Sequence, residues 1–238
     1  MATARRRLSP ADRRAELLAL GAEVFGQRPY DEVRIDEIAG RAGVSRALMY
    51  HYFPDKRAFF AAVVKDEADR LYAATRTQPA ADMTLFEEIR ASVLAYMGYH
   101  ERNPEAAWAA HVGLGRADPV LLGIDDEANN RQMEHIMSRI ADVLSDIPGT
   151  GALAAGVERD LRVIIHGWLA FTLETCRQRM MDQTLEAGRL ADCCAHTLLD
   201  AIARVPAIPS ELAEALATAR TKPRRRPAAM LSPSGLGR

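Results

Sequence analysis

Residues 35–53 form the stretch IDEIAGRAGVSRALMYHYF, which predicts two short helices joined by a tight turn. The first is predicted over 35–41. Gly43 suits the turn that follows, because glycine adopts a positive φ at little steric cost. Ser45 is a preferred N-cap residue, so the second helix is expected to begin there and to run to about Tyr52. The pattern is typical of a helix-turn-helix unit.

The apolar residues of this stretch predict a small core that is shared with a preceding helix. Ala39 is expected where two helices approach most closely, since a close approach requires a small side chain. The predicted core consists of Val24, Phe25, Ile35, Ile38, Ala39, Ala42, Val44, Leu48 and Phe53. Another face of the second short helix is thereby left available for binding.

Polar side chains on that remaining face have the chemistry that DNA requires. Arg46 can reach either a guanine edge or a phosphate, and the sequence does not decide between them. Ala47 can contact a thymine methyl group. Tyr50 and Tyr52 can reach the phosphate backbone, although one of the two can instead pack inward. Lys56, at the start of the next helix, lies beside backbone amides that also favour a phosphate.

The rest of the chain also predicts helices. Ser9 and Pro10 are typical of a helix start, and this helix is expected to end at about Gln27. Another is expected from Asp55 to about Arg76. Beyond these, the predicted spans are 83–102, 104–114, 118–146, 153–180, 184–204 and 209–220. We therefore expect an all-α protein, with an N-terminal three-helix DNA-binding domain followed by a larger helical domain.

Charge is distributed unevenly along the 238 residues, although the formal net charge is only −1. The net charge is +3 over 1–57, −9 over 58–203 and +5 over 204–238. DNA responds to the local field, so the overall balance does not argue against DNA binding. The predicted organisation is a flexible basic arm over 1–9, a helix-turn-helix domain over 10–57, a helical domain over 58–204, and a short helix with a disordered basic tail over 205–238. For the arm, a solvated tail and a DNA contact remain equal alternatives.

The run from Leu17 to Phe60, and above all FGQRPYDEVRIDEIAGRAGVSRALMYHYFPDKRAFF over 25–60, resembles the TetR family of bacterial transcriptional regulators. The matching residues are Phe25, Tyr30, Ile38, Ala39, Ala42, Gly43, Val44, Ser45, Tyr50, His51, Tyr52, Phe53 and Lys56. Two positions differ from the family pattern. Arg34 stands where a Thr or Ser usually caps the second helix and contacts phosphate, and Pro29 stands where a Gly is common.

The resemblance implies roles in DNA binding for several positions of this segment. The recognition helix carries Arg46, Ala47, Leu48, Tyr50 and His51, while Tyr52 and Lys56 match positions that usually contact phosphate. Together with two residues at the helix starts, the expected DNA-binding set is Arg34, Ser45, Arg46, Ala47, Leu48, Tyr50, His51, Tyr52 and Lys56.

The resemblance also implies a second, all-helical domain with an effector pocket and a dimer interface. The helices near 153–180 and 184–204 are expected to form a four-helix bundle with a second copy, with Val163, Gly167, Ala170 and Glu174 as a dimer face. Candidate pocket residues are Phe86, Tyr96, Trp108, His111, Met133, Met137, His166 and Phe171. Aromatic and Met residues at helical spacing are equally typical of an ordinary core, so both interpretations remain.

Other function classes find little support in the sequence. No cluster has metal-ligand spacing and no phosphate-binding or nucleophile motif occurs, so we expect no cofactor, no metal and no enzyme activity. The three cysteines are expected to be small packing residues. No transmembrane or secretory segment is apparent, which predicts a cytoplasmic protein that does not bind membranes.

The function expected is that of a ligand-responsive transcriptional regulator, most simply a repressor. It would bind a near-palindromic operator as a homodimer and be released by a small-molecule effector. An enzyme acting on an apolar small molecule and a helical adaptor that binds only proteins are the alternatives. Replacement of Tyr50, Tyr52 and Lys56 would leave an adaptor's activity intact.

Overall fold

The computed structural model describes residues 8–76, 83–104, 119–145, 153, 155–206 and 208–219. The α-helices in this part of the chain are Pro10–Gln27 (α1), Ile35–Ala42 (α2), Arg46–Tyr52 (α3), Lys56–Thr75 (α4), Leu85–Arg102 (α5), Pro119–Ser145 (α6), Ala155–Met181 (α7), Ala187–Ala203 (α8) and Ser210–Ala219 (α9). These residues include no strand, and the expected all-α fold is confirmed. A single 3-10 turn at Tyr30–Glu32 was not predicted.

Several predictions concern residues outside this part of the chain. Nearly all of the predicted helix 104–114 lies there, together with its pocket candidates Trp108 and His111. The basic arm up to residue 7 and the basic tail from residue 220 lie there as well.

Local signals in the sequence explain where the first helices begin and end. The Ser9 hydroxyl accepts a hydrogen bond from the Asp12 amide at 3.1 Å, and Pro10 is the first residue of α1. Gly43 has a φ of 60° at the end of α2, as predicted, and its amide donates to the carbonyls of Ala39 and Gly40. The next amide, that of Val44, also donates to Ala39, at 2.9 Å. This left-handed C-cap satisfies the last carbonyls of α2 and turns the chain toward α3.

The first compact unit contains, among the described residues, 8–74, 98–104 and 119–132. Its core is rich in aromatic rings, and the ring centroids of Phe25 and Phe60 are 4.7 Å apart. The buried residues are Leu17, Leu18, Val24, Phe25, Val33, Ile35, Ile38, Ala39, Ala42, Met49, Phe53, Phe59, Phe60 and Val63. The unit is larger than the predicted domain 10–57, because α4 supplies three of these side chains and Ile124 of α6 packs against them.

The second compact unit contains the remaining described residues of α5 and α6 together with α7, α8 and α9. One stripe of α7 is buried in its core and consists of Val157, Leu161, Ile165, Trp168, Thr172 and Cys176. The indole of Trp168 donates to the buried carbonyl of Cys194 at 2.8 Å, which joins α7 to α8. Glu88 and Arg139 form a largely buried ion pair at 2.7 Å between α5 and α6. No helix in the part of the chain that is described is long and apolar enough to span a membrane.

Candidate nucleic-acid interface

Helix α3 turns one face toward solvent, and that face carries Arg46, Ala47, Tyr50 and His51. The opposite side of the helix is fixed by Met49, which is buried in the core of the first unit. Ser45 caps the helix, since its hydroxyl accepts a hydrogen bond from the Leu48 amide at 3.1 Å. The exposed face therefore belongs to a short helix that is anchored both by its cap and by its core contact.

Arg46 lies at the first position of α3, and two side chains restrain its guanidinium. Its Nη1 donates to one carboxylate oxygen of Asp36 at 3.3 Å, and its Nε lies 3.3 Å from the other oxygen. Its Nη2 donates to the Tyr50 hydroxyl at 3.4 Å. The guanidinium carbon is also 5.4 Å from the centroid of the Tyr50 ring, within cation–π distance. The Arg46 side chain nevertheless remains 65% exposed, so it is accessible to DNA.

Arg34 lies at the N-cap of α2, where its side chain makes no capping hydrogen bond. Arginine carries only donors, so it does not replace the capping hydroxyl that is common at this position in the TetR family. Its Nη2 is 3.9 Å from Asp36, and its side chain is highly exposed. Arg34 and Arg46 thus share a single carboxylate on the surface that α2 and α3 form together.

Tyr52 is the last residue of α3, and Lys56 is the first residue of α4. Tyr52 is half-buried against the core of the first unit, so of the two tyrosines it is the one that packs partly inward. The Lys56 ammonium lies 4.3 Å from the centroid of the Tyr30 ring and donates to the Asp31 carbonyl at 3.3 Å. Asp55, where the sequence predicts the start of this helix, caps α4 by accepting a hydrogen bond from the Ala58 amide at 2.7 Å.

Other arginines of the first unit are paired with carboxylates on neighbouring elements. Arg28 donates to Glu37 at 2.6 Å, and this hydrogen bond lowers the pKa of the Glu37 carboxyl. Arg41 on α2 pairs with Glu23 on α1. These pairs connect the elements around α2, whereas the Arg46 pair lies on the face of α3 that is open to solvent.

The arrangement offers the kinds of group that proteins use on DNA. A guanidinium and hydroxyls can bind base edges or phosphates, and a small apolar residue can approach a thymine methyl group. Of the residues expected to act together in DNA binding, Leu48, Tyr52 and Lys56 are half-buried, and the exposed ones are Arg34, Ser45, Arg46, Ala47, Tyr50 and His51. No group of side chains in the described ranges has the composition and proximity of a metal site.

Helix α6 contributes residues to both compact units, and within the first unit its N-terminal half is joined to α4 by charged contacts. Lys65 pairs with Glu127 at 3.1 Å, and Arg131 pairs with Asp69 at 2.6 Å. Tyr99 of α5 donates to Glu67 of α4 at 2.6 Å. Burial and this bond to Glu67 raise the pKa of the Tyr99 hydroxyl. Helix α4, which follows α3, is therefore held by residues of α5 and α6 within the first unit.

The structure brings together only part of the candidate effector pocket. Met137 is buried in the core of the second unit, and Phe86, Tyr96 and Met133 pack against that core. His166 and Phe171, in contrast, lie on the exposed side of α7, opposite its buried stripe, and so do not face the same interior. The 3.6-residue period of a helix places them outside that stripe.

Two residues that shape this surface were missed from the sequence. Asp36 lies on the surface, and Met49 anchors α3 from the core beneath it. Asp36 was not selected because a carboxylate is not an obvious component of a DNA-binding face, and its partner Arg46 is ten residues away in the sequence. Met49 was missed because Leu48 and Met49 are both apolar, and a helix of seven residues has too few turns for periodicity to distinguish them.

Comparisons with known proteins agree with this architecture. Residues 17–63 match the family model described as bacterial regulatory proteins, tetR family. The chain is 33% identical over 99 residues to the transcriptional activator FasR of Mycolicibacterium smegmatis, a match that covers 42% of this chain and 45% of FasR. It is 36% identical over 63 residues to the transcriptional repressor KstR2 of the same species, covering 26% of this chain and 31% of KstR2. The chain thus spans less than half the length of either relative.

Solved structures match over more of the chain. A tetR-family regulator from Streptomyces coelicolor superposes with a TM-score of 0.69 at 21% identity, covering 89% of this chain and 90% of that one. The Bacillus subtilis regulator FadR, solved with stearoyl-CoA, superposes with a TM-score of 0.58 at 17% identity, covering 82% of this chain and 99% of that one. At these identities the structures establish a shared fold, and the family model confirms the resemblance of the N-terminal helices to the TetR family.

Proposed function

We propose that this chain, whose N-terminal helices match the model of the TetR family of transcriptional regulators, is a ligand-responsive repressor that binds a near-palindromic operator as a homodimer. Each copy would place its α3 in the major groove of one half-site. In a two-fold symmetric dimer the two half-sites would lie about 34–36 Å apart, one turn of DNA.

The observation that carries this proposal is the solvent-exposed face of α3. Arg46, Ala47, Tyr50 and His51 are exposed together on a helix whose opposite side is buried through Met49. A helix that served only to complete a core would not need a guanidinium and a phenol in contact on its outer face. For DNA binding, the same two groups supply base and phosphate contacts.

Selection of DNA by the purified full-length chain tests the proposal. Random duplexes and the DNA upstream of its own and neighbouring genes are incubated with the protein at a stated salt concentration, and the retained fragments are sequenced. We expect a symmetric motif with two half-sites. The logarithm of the binding constant should fall linearly with the logarithm of salt concentration, because phosphate contacts release counterions.

Variants of the exposed face provide the control. Tyr50→Ala and Lys56→Ala should weaken binding to all sequences, whereas Glu16→Gln on α1, paired with Arg13 of the same helix, should leave the motif unchanged. Absence of a selected motif from the wild-type chain, or a salt slope near zero, would contradict the proposed function. Binding that survives both interface substitutions unchanged would place the DNA on another surface.

A small lipophilic molecule is the effector class that we propose. Met137 lies in the core of the second unit and Phe86, Tyr96 and Met133 pack against that core. Aromatic and thioether side chains of this kind are typical of sites that bind apolar ligands. A ligand with higher affinity for one of two states shifts the balance toward that state. Since α5 and α6 contribute residues to both units, they are the elements through which such a shift would reach α4.

Release from DNA tests the effector. The protein bound to its selected motif is titrated with a panel of apolar compounds that includes stearoyl-CoA, the molecule bound in the solved B. subtilis FadR. We expect one class to lower the DNA affinity at least tenfold, and Met133→Arg to abolish this response while leaving the unliganded affinity unchanged. An effector whose action is unaffected by this substitution would bind elsewhere.

Activation is the second candidate, because FasR is an activator and shares 33% identity over 99 residues with this chain. A reporter gene behind the selected motif separates the two functions. Deletion of the regulator raises expression if the chain represses and lowers it if the chain activates.

A further inference from the structure

Asp36 is an acidic side chain on the surface that we propose faces DNA. It lies in the first turn of α2, its carboxylate is 42% exposed, and it is within 3.9 Å of the guanidinium groups of both Arg34 and Arg46. A carboxylate on this surface repels the phosphate backbone, which weakens DNA binding unless the same side chain also assists recognition. Its contacts with Arg46 indicate that it assists by orienting the guanidinium group.

We propose that Asp36 is a positioning residue which holds the Arg46 guanidinium in the orientation that discriminates bases in the operator. The inference rests on the proposed function, since it presupposes that α3 enters the major groove. It adds a specificity-determining residue that itself need not contact a base.

Geometry supports this role, because Arg46 is held from two directions. Asp36 on α2 engages Nη1 and Nε, both at 3.3 Å, while Tyr50, one turn further along α3, accepts from Nη2 at 3.4 Å. A guanidinium has five N–H donors in a fixed planar arrangement, so these contacts leave donors available for DNA. Discrimination by arginine requires that this plane be oriented, and a flexible side chain that is already held loses less entropy on binding.

Charge supports the same conclusion. A phosphate attracts a side chain through its net charge, and the Arg46–Asp36 pair has almost none. A base edge is recognised through the direction of its hydrogen bonds, which the pair does not weaken. The ion pair therefore favours base recognition by Arg46 over phosphate binding, the choice that the sequence left open. Arg34, 79% exposed and 3.9 Å from the same carboxylate, is better placed for phosphate.

The test compares the sequence preference of four proteins: the wild-type chain, Asp36→Asn, Arg46→Ala and the double variant. Each is used for DNA selection at two salt concentrations. We expect Asp36→Asn to reduce base discrimination by about two- to tenfold, the range set by immobilising one flexible side chain. The loss should be confined to one symmetry-related pair of positions, and Arg46→Ala should abolish preference at that pair. In the Arg46→Ala background, Asp36→Asn should cause no further loss of base preference.

Glu23→Gln is the matched control. It removes one carboxylate from the same unit and releases Arg41, an arginine that does not lie on α3, so it changes the net charge equally. The salt slope should steepen in Asp36→Asn by about two per dimer if each released Arg46 binds a phosphate. Asp36→Glu should recover part of the wild-type discrimination, because it restores the carboxylate.

Each alternative outcome has a distinct meaning. An unchanged preference in Asp36→Asn, with an affinity gain equal to that of Glu23→Gln, would reduce Asp36 to a charge effect and overturn the inference. A changed preference in Asp36→Asn together with an unchanged one in Arg46→Ala would mean that Asp36 contacts a base itself, and would also overturn it. In both cases selective binding by the wild-type chain would leave the proposed function intact, whereas a wild-type chain without any preference would remove both.

Discussion

At the scale of single residues, Gly21 shows how closely α1 and α4 pack in the first unit. A Cβ atom at this position would lie 2.6 Å from Phe59 Cζ and 2.6 Å from Val63 Cγ2, well inside van der Waals contact. Phe59 is completely buried, so its ring has no open space into which it can move. The absence of a side chain at Gly21 is therefore a packing requirement.

Gly21→Ala is expected to lower the free energy of unfolding by about 1–3 kcal/mol, the range for overpacking a core. The measurement is urea denaturation of both proteins. Gly40→Ala is the control, since a Cβ atom there meets nothing within 4 Å and alanine favours the helix. An equal or higher stability of Gly21→Ala would show that α1 and α4 can separate without cost.

The three cysteines differ in a way that predicts their reactivity. Burial raises the pKa of the Cys176 thiol to about 12 and also raises that of Cys194, while Cys193 is exposed on α8. Thiolate is the reactive form, and at pH 8 a thiol with a pKa near 12 is ionised to roughly one part in ten thousand. An ordinary thiol is ionised to about a quarter under the same conditions.

We therefore expect at most one thiol per chain to react with a disulfide reagent in the native protein at pH 8, and three after denaturation. Cys193→Ser should remove the native reaction. Fast labelling of the Cys193→Ser protein without denaturant would mean that the second unit opens readily.

At the scale of secondary structure, the helix caps explain why the helix ends could be predicted from the sequence. They also show where a substitution can raise the stability of the protein. Ser9, Ser45 and Gly43 act as predicted, and the bounds of the described helices agree with the predictions to within about three residues. Caps are local, because each bond joins residues only a few positions apart. Helix α2 has no such side-chain cap, since Arg34 at its N-cap offers no acceptor.

Arg34→Ser is expected to raise the free energy of unfolding by about 1 kcal/mol, because the hydroxyl would accept a hydrogen bond from an amide of the first turn. Ser45→Ala should lower it by a similar amount through loss of the bond to Leu48.

The two substitutions also differ in their effect on DNA. Arg34→Ser should reduce affinity at every sequence, if Arg34 binds phosphate, although the protein becomes more stable. A loss of stability in Arg34→Ser would mean that the arginine stabilises α2 by another route.

Contacts between distant parts of the chain could not be predicted in this way. The sequence indicated which face of α3 is exposed, but it did not pair Arg46 with Asp36. It also did not place α4 and the start of α6 in the first unit, because the ion pair of Lys65 and Glu127 joins residues 62 positions apart. Apolar periodicity shows that a face is buried without showing what covers it. This is the reason that the sequence could predict α7 as a helix without showing which of its candidate pocket residues face the interior.

At the scale of the whole molecule, the exposed face of α7 tests the proposed dimer. Val163 is 67% exposed and Phe171 41%, and both lie on the side opposite the buried stripe. Between them lies Gly167, where an added Cβ atom would meet nothing within 4 Å in a single chain. A large side chain at Gly167 is therefore compatible with the fold of one copy, but it would block close approach of a second helix.

Gly167→Trp is expected to convert the proposed dimer into a monomer. At low protein concentration its free energy of unfolding should stay within about 1 kcal/mol of the wild-type value, since tryptophan has a better helix propensity than glycine. Light scattering after gel filtration measures the mass. Gly123→Trp on α6 is the control, because its added Cβ atom also meets nothing within 4 Å and it lies in the other unit.

A monomeric Gly167→Trp protein should still bind a half-site, but its affinity for the full motif should fall by orders of magnitude, because the two half-sites no longer bind as one linked unit. If Gly167→Trp remains dimeric, or if Gly123→Trp dissociates instead, the copies associate through a surface other than α7.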